Sequence, residues 1–167
     1  TKRALGDEGA VMEGVGATLG SKTTMRYPCS ILLGRSARAD HLNISFAGEG
    51  QIKDGGAKVI HAAPNTSSNI VAKSICKQGG LATYRGLLRI NKGCFGCKSS
   101  VRCDALLLDE KARTATFPYM EILENDVSVA HEATVGRINE DHIFYLQSRG
   151  LSENEAKALI VNGFIEP

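Results

Sequence analysis

Apolar and polar residues alternate at the strand period over most of this chain. From about residue 10 to residue 138, runs at 23–33, 41–46, 58–63, 69–75, 81–90, 99–108, 114–123 and 127–135 read as strands. Successive strand side chains point to opposite sides, so Leu42, Ile44 and Phe46 share one face, as do Val101, Cys103, Ala105 and Leu107. Turn formers separate the runs: Gly48-Glu49-Gly50, Asp54-Gly55-Gly56, Pro64 to Ser68, Gly79-Gly80 and Asn91-Lys92-Gly93. No helical period intervenes before residue 138, which argues against a doubly wound α/β fold. Short strands at this spacing fit a sandwich or a solenoid, in which coils of roughly 20 to 45 residues stack over a shared core. Two runs, Ala105 to Leu108 and Phe117 to Leu123, are apolar on both faces. Their outer side is expected to be covered by a helix, another domain or a partner chain.

After Ile138 the period changes. Asn139 reads as an N-cap with Glu140 and Asp141 in the first turn, where the helix dipole favours acids. That helix continues through 142–149 to a left-handed cap at Gly150. Ser152 to Glu155 is a capping box opening a second helix, which is expected to run through Val161 and stop at Asn162-Gly163. The chain therefore divides into a β unit over 1–138 and the start of a helical unit over 139–167. Both ends read as interior sequence, so a longer protein is expected.

Composition limits function more than fold. The 167 residues are 43% hydrophobic and 23% charged, with a formal net charge of +2. No basic run marks a nucleic-acid or polybasic membrane surface, and no apolar stretch reaches the roughly 20 residues of a membrane span. Five cysteines without secretory features point to a reducing compartment, the cytoplasm or a plastid.

The candidate chemistry lies in three places. Cys94-Phe95-Gly96-Cys97 is a CxxC followed by Cys103, a spacing compatible with a stand-alone metal-binding module or a redox pair, or with two small residues in a turn. Cys29 and Cys76 read as small buried hydrophobes. Cys103 shares its parity with Val101, Ala105 and Leu107, which places it inside; His131 shares parity with Val127, Val129 and Val135, and Glu132 points the opposite way. Thiolate, imidazole and carboxylate are the donor types that hold iron or zinc. The same trio could form a cysteine hydrolase, but consecutive strand residues cannot line up behind one thiol. The glycine clusters are not a P-loop, since no Gly-Lys-Ser/Thr leads into a helix.

With these residues in view, the sequence resembles the SufB branch of the SufB/SufD family of iron–sulfur cluster assembly scaffolds. The resemblance is carried by Gly20 to Met25 with Tyr27-Pro28, Gly56 to Ser68, Tyr84 to Leu87, Cys103 to Leu107, His131 to Thr134, and Glu140 to Leu146 with Ser148 to Gly150. It implies a mainly β fold, a right-handed parallel β-helix (solenoid) core followed by two short C-terminal helices of a truncated helical domain. It implies a non-enzymatic scaffold on which a transient iron–sulfur cluster is assembled at a subunit interface. The family's cluster-site cysteine falls on Cys103, its glutamate on Glu132 and its neighbouring histidine on His131, with Cys103 and Glu132 as metal ligands. Expected partners are a SufD-like paralog, which supplies a further histidine, a SufC-like ATPase on the helical region, and a sulfur donor protein. A homodimer could replace the heterodimer. The family's sulfur-entry cysteine lies upstream of this sequence, and no cluster role passes to Cys94 or Cys97.

Overall fold

The computed structural model describes residues 2–166. In chain order its strands are β1 (Arg3–Gly6), β2 (Val11–Thr18), β3 (Thr23–Arg26), β4 (Cys29–Leu32), β5 (Arg38–Ala47), β6 (Ile52–Gly55), β7 (Lys58–His61), β8 (Ser67–Cys76), β9 (Leu81–Ile90), β10 (Cys97–Leu107), β11 (Arg113–Ile122) and β12 (Val127–Arg137). The helices are α1 (Glu140–Ser148) and α2 (Glu153–Ile165). All strand pairs are parallel. One sheet runs β12-β10-β8-β5-β2, and the other stacks β1, β3 with β4, β6 with β7, β9 and β11. The chain is thus a parallel β-solenoid of five coils followed by two helices.

The coil length can be read from which side chains meet. Thr18 and Ser45 bond at 3.1 Å across 27 residues, and Ser68 and Ser99 at 2.8 Å across 31. Two coils break their strand where the backbone must bend. The run 23–33 divides at Tyr27-Pro28, since proline has no N–H to give the ladder. β6 and β7 divide at Gly56, whose backbone lies against the next coil: a Cβ there would stand 1.8 Å from the Arg85 carbonyl oxygen. The short β1 and β6 were hidden from the sequence pattern because turn-forming residues fill or border them.

Leu42, Ile44 and Phe46 share a face as expected, and it is the outer one: β5 turns the buried Ala39, His41 and Ala47 inward. The main core is built of small and branched residues, among them Leu32, Ala39, Val59, Ile70, Ala72, Leu88, Val101 and Cys103. Polar groups are buried beside it. Ser30 Oγ lies 2.9 Å from His41 Nε2. His61 bonds Thr66 Oγ1 at 2.7 Å and Ser68 Oγ at 2.9 Å, and Ser68 continues to Ser99.

Burial pushes His61 from its ordinary 6.5 down to about 4. The unfolded chain therefore takes up a proton near pH 6.5 that the folded chain refuses until about pH 4. His61 contributes fully to stability above pH 6.5, and on the order of 3 kcal/mol is lost as pH falls through that window. Thermal melts of wild type and His61→Asn between pH 7 and pH 4 test this. The wild type is expected to lose stability more steeply, and parallel curves would contradict the assignment.

The helices begin as the sequence indicates. Asn139 accepts from the Asp141 amide, and Ser152 forms a capping box with Glu155. α2 continues past Asn162-Gly163 to Ile165, a correction to the expected stop. Gly163 has no Cβ neighbour and keeps a helical backbone, so nothing forces the chain out of the helix there. The last turn of α2 returns to the outer face of β8, where Lys73 Nζ donates to the carbonyls of Ile165 at 3.2 Å and Glu166 at 2.5 Å, with the Phe164 ring 5.9 Å away. A cation at a helix C-terminus is favourable. On the same outer side Ile75 and Leu106 are buried, so this stretch is covered within the chain. Phe117, Tyr119 and Leu123 are not: they stand exposed on β11 and the residue after it.

Candidate functional site

Cys103 lies in the middle of β10, paired on one side with Ala72 of β8 and on the other with Ala133 of β12. Both ladders run through it without a skipped partner, so a local bulge does not turn it outward. Its side chain is inside, 4% exposed, among Ala72, Tyr84, Leu88 and Val101. Burial pushes its thiol up to about 12, with the charge of Asp104 adding to the rise and the Tyr84 hydroxyl opposing it. In this state Cys103 is a neutral thiol.

The register brings the other two residues to the neighbouring rung. His131 pairs Val101 and Glu132 pairs Arg102. Strand spacing and rise put the Cα of Glu132 about 6 Å and that of His131 about 8 Å from the Cα of Cys103. Pairing with the buried Val101 gives His131 the inner face, and Glu132 takes the outer one beside Arg102. All three residues from His131 to Ala133 are nonetheless exposed, because β12 is the last strand of its sheet and no strand among the described residues pairs its far edge. The imidazole and the carboxylate therefore reach solvent at the open end of the solenoid, one rung from a sealed thiol.

Sequence reasoning missed the polar groups around this rung. Asp104, 5% exposed, faces outward beside Cys103, accepts from Thr134 Oγ1 at 2.5 Å and pairs with Arg102 at 2.8 Å. It fixes β10 to β12 on the side opposite the thiol. Tyr84 on β9 reaches the same interior, and its parity with Ala82 and Leu88 was the available signal.

The CxxC does not join this site. Cys97 starts β10, six positions before Cys103, which is about 20 Å along a strand. Cys94 and Cys97 are buried with Ile90 in a separate cluster, and Thr66 Oγ1 stands 3.1 Å from the Cys97 sulfur. Cys94 occupies the turn Asn91–Cys94, where Gly93 takes φ 84, a value that suits glycine. All five cysteines are free and buried. Among the described residues no group of three or more His, Cys, Asp or Glu side chains is arranged to hold a metal ion. A buried neutral thiol with His131 and Glu132 on opposite faces is also a poor arrangement for a hydrolytic nucleophile. No described helix is long and apolar enough to cross a membrane.

Residues 1–164 match the family described as SUF system FeS cluster assembly, SufBD core domain. The iron–sulfur cluster assembly protein SufB of Bacillus subtilis is 52% identical over 167 residues, covering all of this chain and 36% of its own length. An iron–sulfur cluster assembly SufBD family protein of Mycobacterium tuberculosis is 53% identical over 167 residues, with 20% of its length covered. The chain thus spans about a third or less of the relatives it matches.

Proposed function

Because this chain belongs to the SufBD core family of the SUF system for iron–sulfur cluster assembly, we propose that it carries part of a scaffold site on which nascent clusters are built. The cluster is cargo, made here and passed on. The observation that carries the reading is the unbroken register from Ala72 through Cys103 to Ala133, which sets a buried thiol one rung from an exposed carboxylate at the open end. Glu132 is a hard oxygen ligand suited to capturing iron on arrival, and the Cys103 thiolate is the soft ligand a finished cluster requires. His131, one residue further along β12 and on its inner face, is a third donor.

The chain's own donors are too few and too separated to enclose a cluster, so the scaffold acts with a SufD-like paralog against β12 and the bare face of β11, or with a second copy of itself. A SufC-like ATPase engages the helical region that starts at α1, and the sulfur comes from a donor protein. Residues 2–138 are the solenoid part of this scaffold, and 139–166 begin its helical part. Opening of the last coil, driven by the ATPase, gives the Cys103 sulfur access to iron.

Anaerobic reconstitution with ferrous iron and sulfide tests the reading. The full-length protein with paralog and ATPase is expected to develop the visible absorption of a cluster, and the 167-residue chain alone is not. A stable, stoichiometric cluster on the isolated chain would overturn it.

A further inference from the structure

We propose that Cys94 and Cys97 are a modification site, a dithiol that closes to a reversible disulfide by exchange with a small-molecule disulfide of the glutathione class. The site lies in the turn between β9 and β10 and stands apart from the scaffold reading. Phe95 and Gly96 are the two central residues of a tight turn, with Gly96 at φ 68, a left-handed value that suits glycine at the third place. The cysteines hold the first and fourth places. A turn of this kind keeps those Cα atoms within about 7 Å, and a disulfide asks for roughly 4.4 to 6.8 Å. Both side chains are turned inward. Cys94 is 3% and Cys97 0% exposed, and they share one cluster with Ile90, against which Val127 and Val129 pack. The other three cysteines lie at the start of β4, the end of β8 and the middle of β10.

The surroundings accept the change without stranding a buried oxygen. In the dithiol, Cys97 Sγ lies 3.1 Å from Thr66 Oγ1 and 3.5 Å from the Ala63 carbonyl oxygen. Thr66 Oγ1 donates to that same carbonyl at 3.0 Å and meets His61 Nδ1 at 2.7 Å. When the S–H is lost, both oxygens keep a partner. The exchange balances in two steps. One protein thiolate attacks the reagent disulfide, forming a mixed disulfide and expelling a small thiol. The second protein thiolate attacks the protein sulfur of that mixed disulfide and expels the other. The pair gives up two protons and two electrons, and the reagent carries them away as two thiols. Burial raises the Cys94 thiol and Cys97 adds to the rise, so the step proceeds through brief opening of the turn. Closing the ring stiffens the rung on which the last coil stacks. There Phe95 O accepts from Asn65 N at 2.8 Å, and Gly96 N donates to Asp126 O at 2.7 Å.

Trypsin makes the test direct. Cleavage after Lys92 and Lys98 releases residues 93–98 with both cysteines, and cleavage after Arg102 puts Cys103 in another peptide. Full-length iron-free protein is equilibrated under argon in oxidised glutathione, then quenched, denatured, alkylated and digested. Peptide 93–98 is expected to carry no alkyl label and to weigh about 2 Da less than the dithiol, two hydrogens being gone. Dithiothreitol is expected to restore both labels, and Cys29, Cys76 and Cys103 to remain thiols throughout. Oxidised wild type is expected to melt a few degrees above reduced wild type, and Cys94→Ser to melt alike in both buffers. Double alkylation of 93–98 after oxidation, persisting when urea below the unfolding transition speeds opening of the turn, would overturn the inference. Glutathione left on either cysteine as the stable product, or a bridge from either one to Cys29, Cys76 or Cys103, would overturn it as well.

Discussion

Cys103→Ala is expected to bring cluster assembly down to background, and Glu132→Ala to reduce it by roughly 10-fold or more, while the double variant Cys94→Ala/Cys97→Ala assembles clusters nearly as wild type does. The three outcomes follow from where the sulfurs sit. Cys103 is the cysteine whose rung adjoins the exposed donors of β12, and alanine differs from it by the sulfur alone, in a site that already packs Ala72 and Ala133 alongside. Glu132 is exposed and makes no ion pair among the described residues, so its loss removes the proposed iron ligand without disturbing a core. Cys97 lies about 20 Å along β10 from Cys103, and Cys94 sits with it in a separate cluster. Their removal trims a buried cluster with Ile90 and lowers stability by about 1 kcal/mol for each thiol. Visible absorption after anaerobic reconstitution, paired with thermal melts of the iron-free proteins, separates the two kinds of loss. Abolished assembly in the CxxC variant with Cys103→Ala intact would reverse the assignment in favour of a Cys94–Cys97 metal site.

The largest effect on the fold is expected from a glycine. Gly56→Ala would place a methyl group 1.8 Å from the carbonyl oxygen of Arg85, a backbone atom that cannot swing aside as a side chain could. Gly56 N also bonds the Arg26 carbonyl at 3.1 Å, and Ala57 accepts from Leu87 N at 3.0 Å, so three successive coils meet at this point. The variant must separate coils that share the core, at a cost of about 4 kcal/mol or more, enough to leave many single domains unfolded. Gly55→Ala is the control. Its Cβ would find nothing closer than 3.6 Å, the Arg26 carbonyl oxygen, and a change within about 1 kcal/mol is expected. Denaturant melts that show the two variants equally stable would contradict the close coil contact at Gly56.

The contrast between these neighbours shows what the sequence could and could not convey. Asp54-Gly55-Gly56 reads as a turn by composition, yet Asp54 and Gly55 end a strand and only Gly56 marks the bend. The chemistry of turns and strand ends is the same there, and the deciding contact is with Arg85, a coil later. Alternation gave the β class, and the switch to helix after Ile138 was plain from Asn139 and from the Ser152 capping box. It could not say which face of β5 was inner, because a narrow solenoid turns its small and polar residues, such as Ala39 and His41, inward. Parity did place Cys103 inside and set His131 and Glu132 on opposite faces. The adjacency of these three depends on a coil-length register, which no local pattern carries. The solvent reached by β12 is likewise a property of the stacked coils.

The most direct measurement is the position of iron. Anomalous diffraction at the iron edge from anaerobic crystals of the full-length protein, loaded in the presence of its paralog and ATPase, locates the metal independently of any activity. The scaffold account predicts iron bonded to the sulfur of Cys103 at the last coil, with the Glu132 carboxylate facing the same site. Iron bound between Cys94 and Cys97, or held wholly by the partner with the Cys103 thiol still sealed among Ala72, Leu88 and Val101, would contradict it.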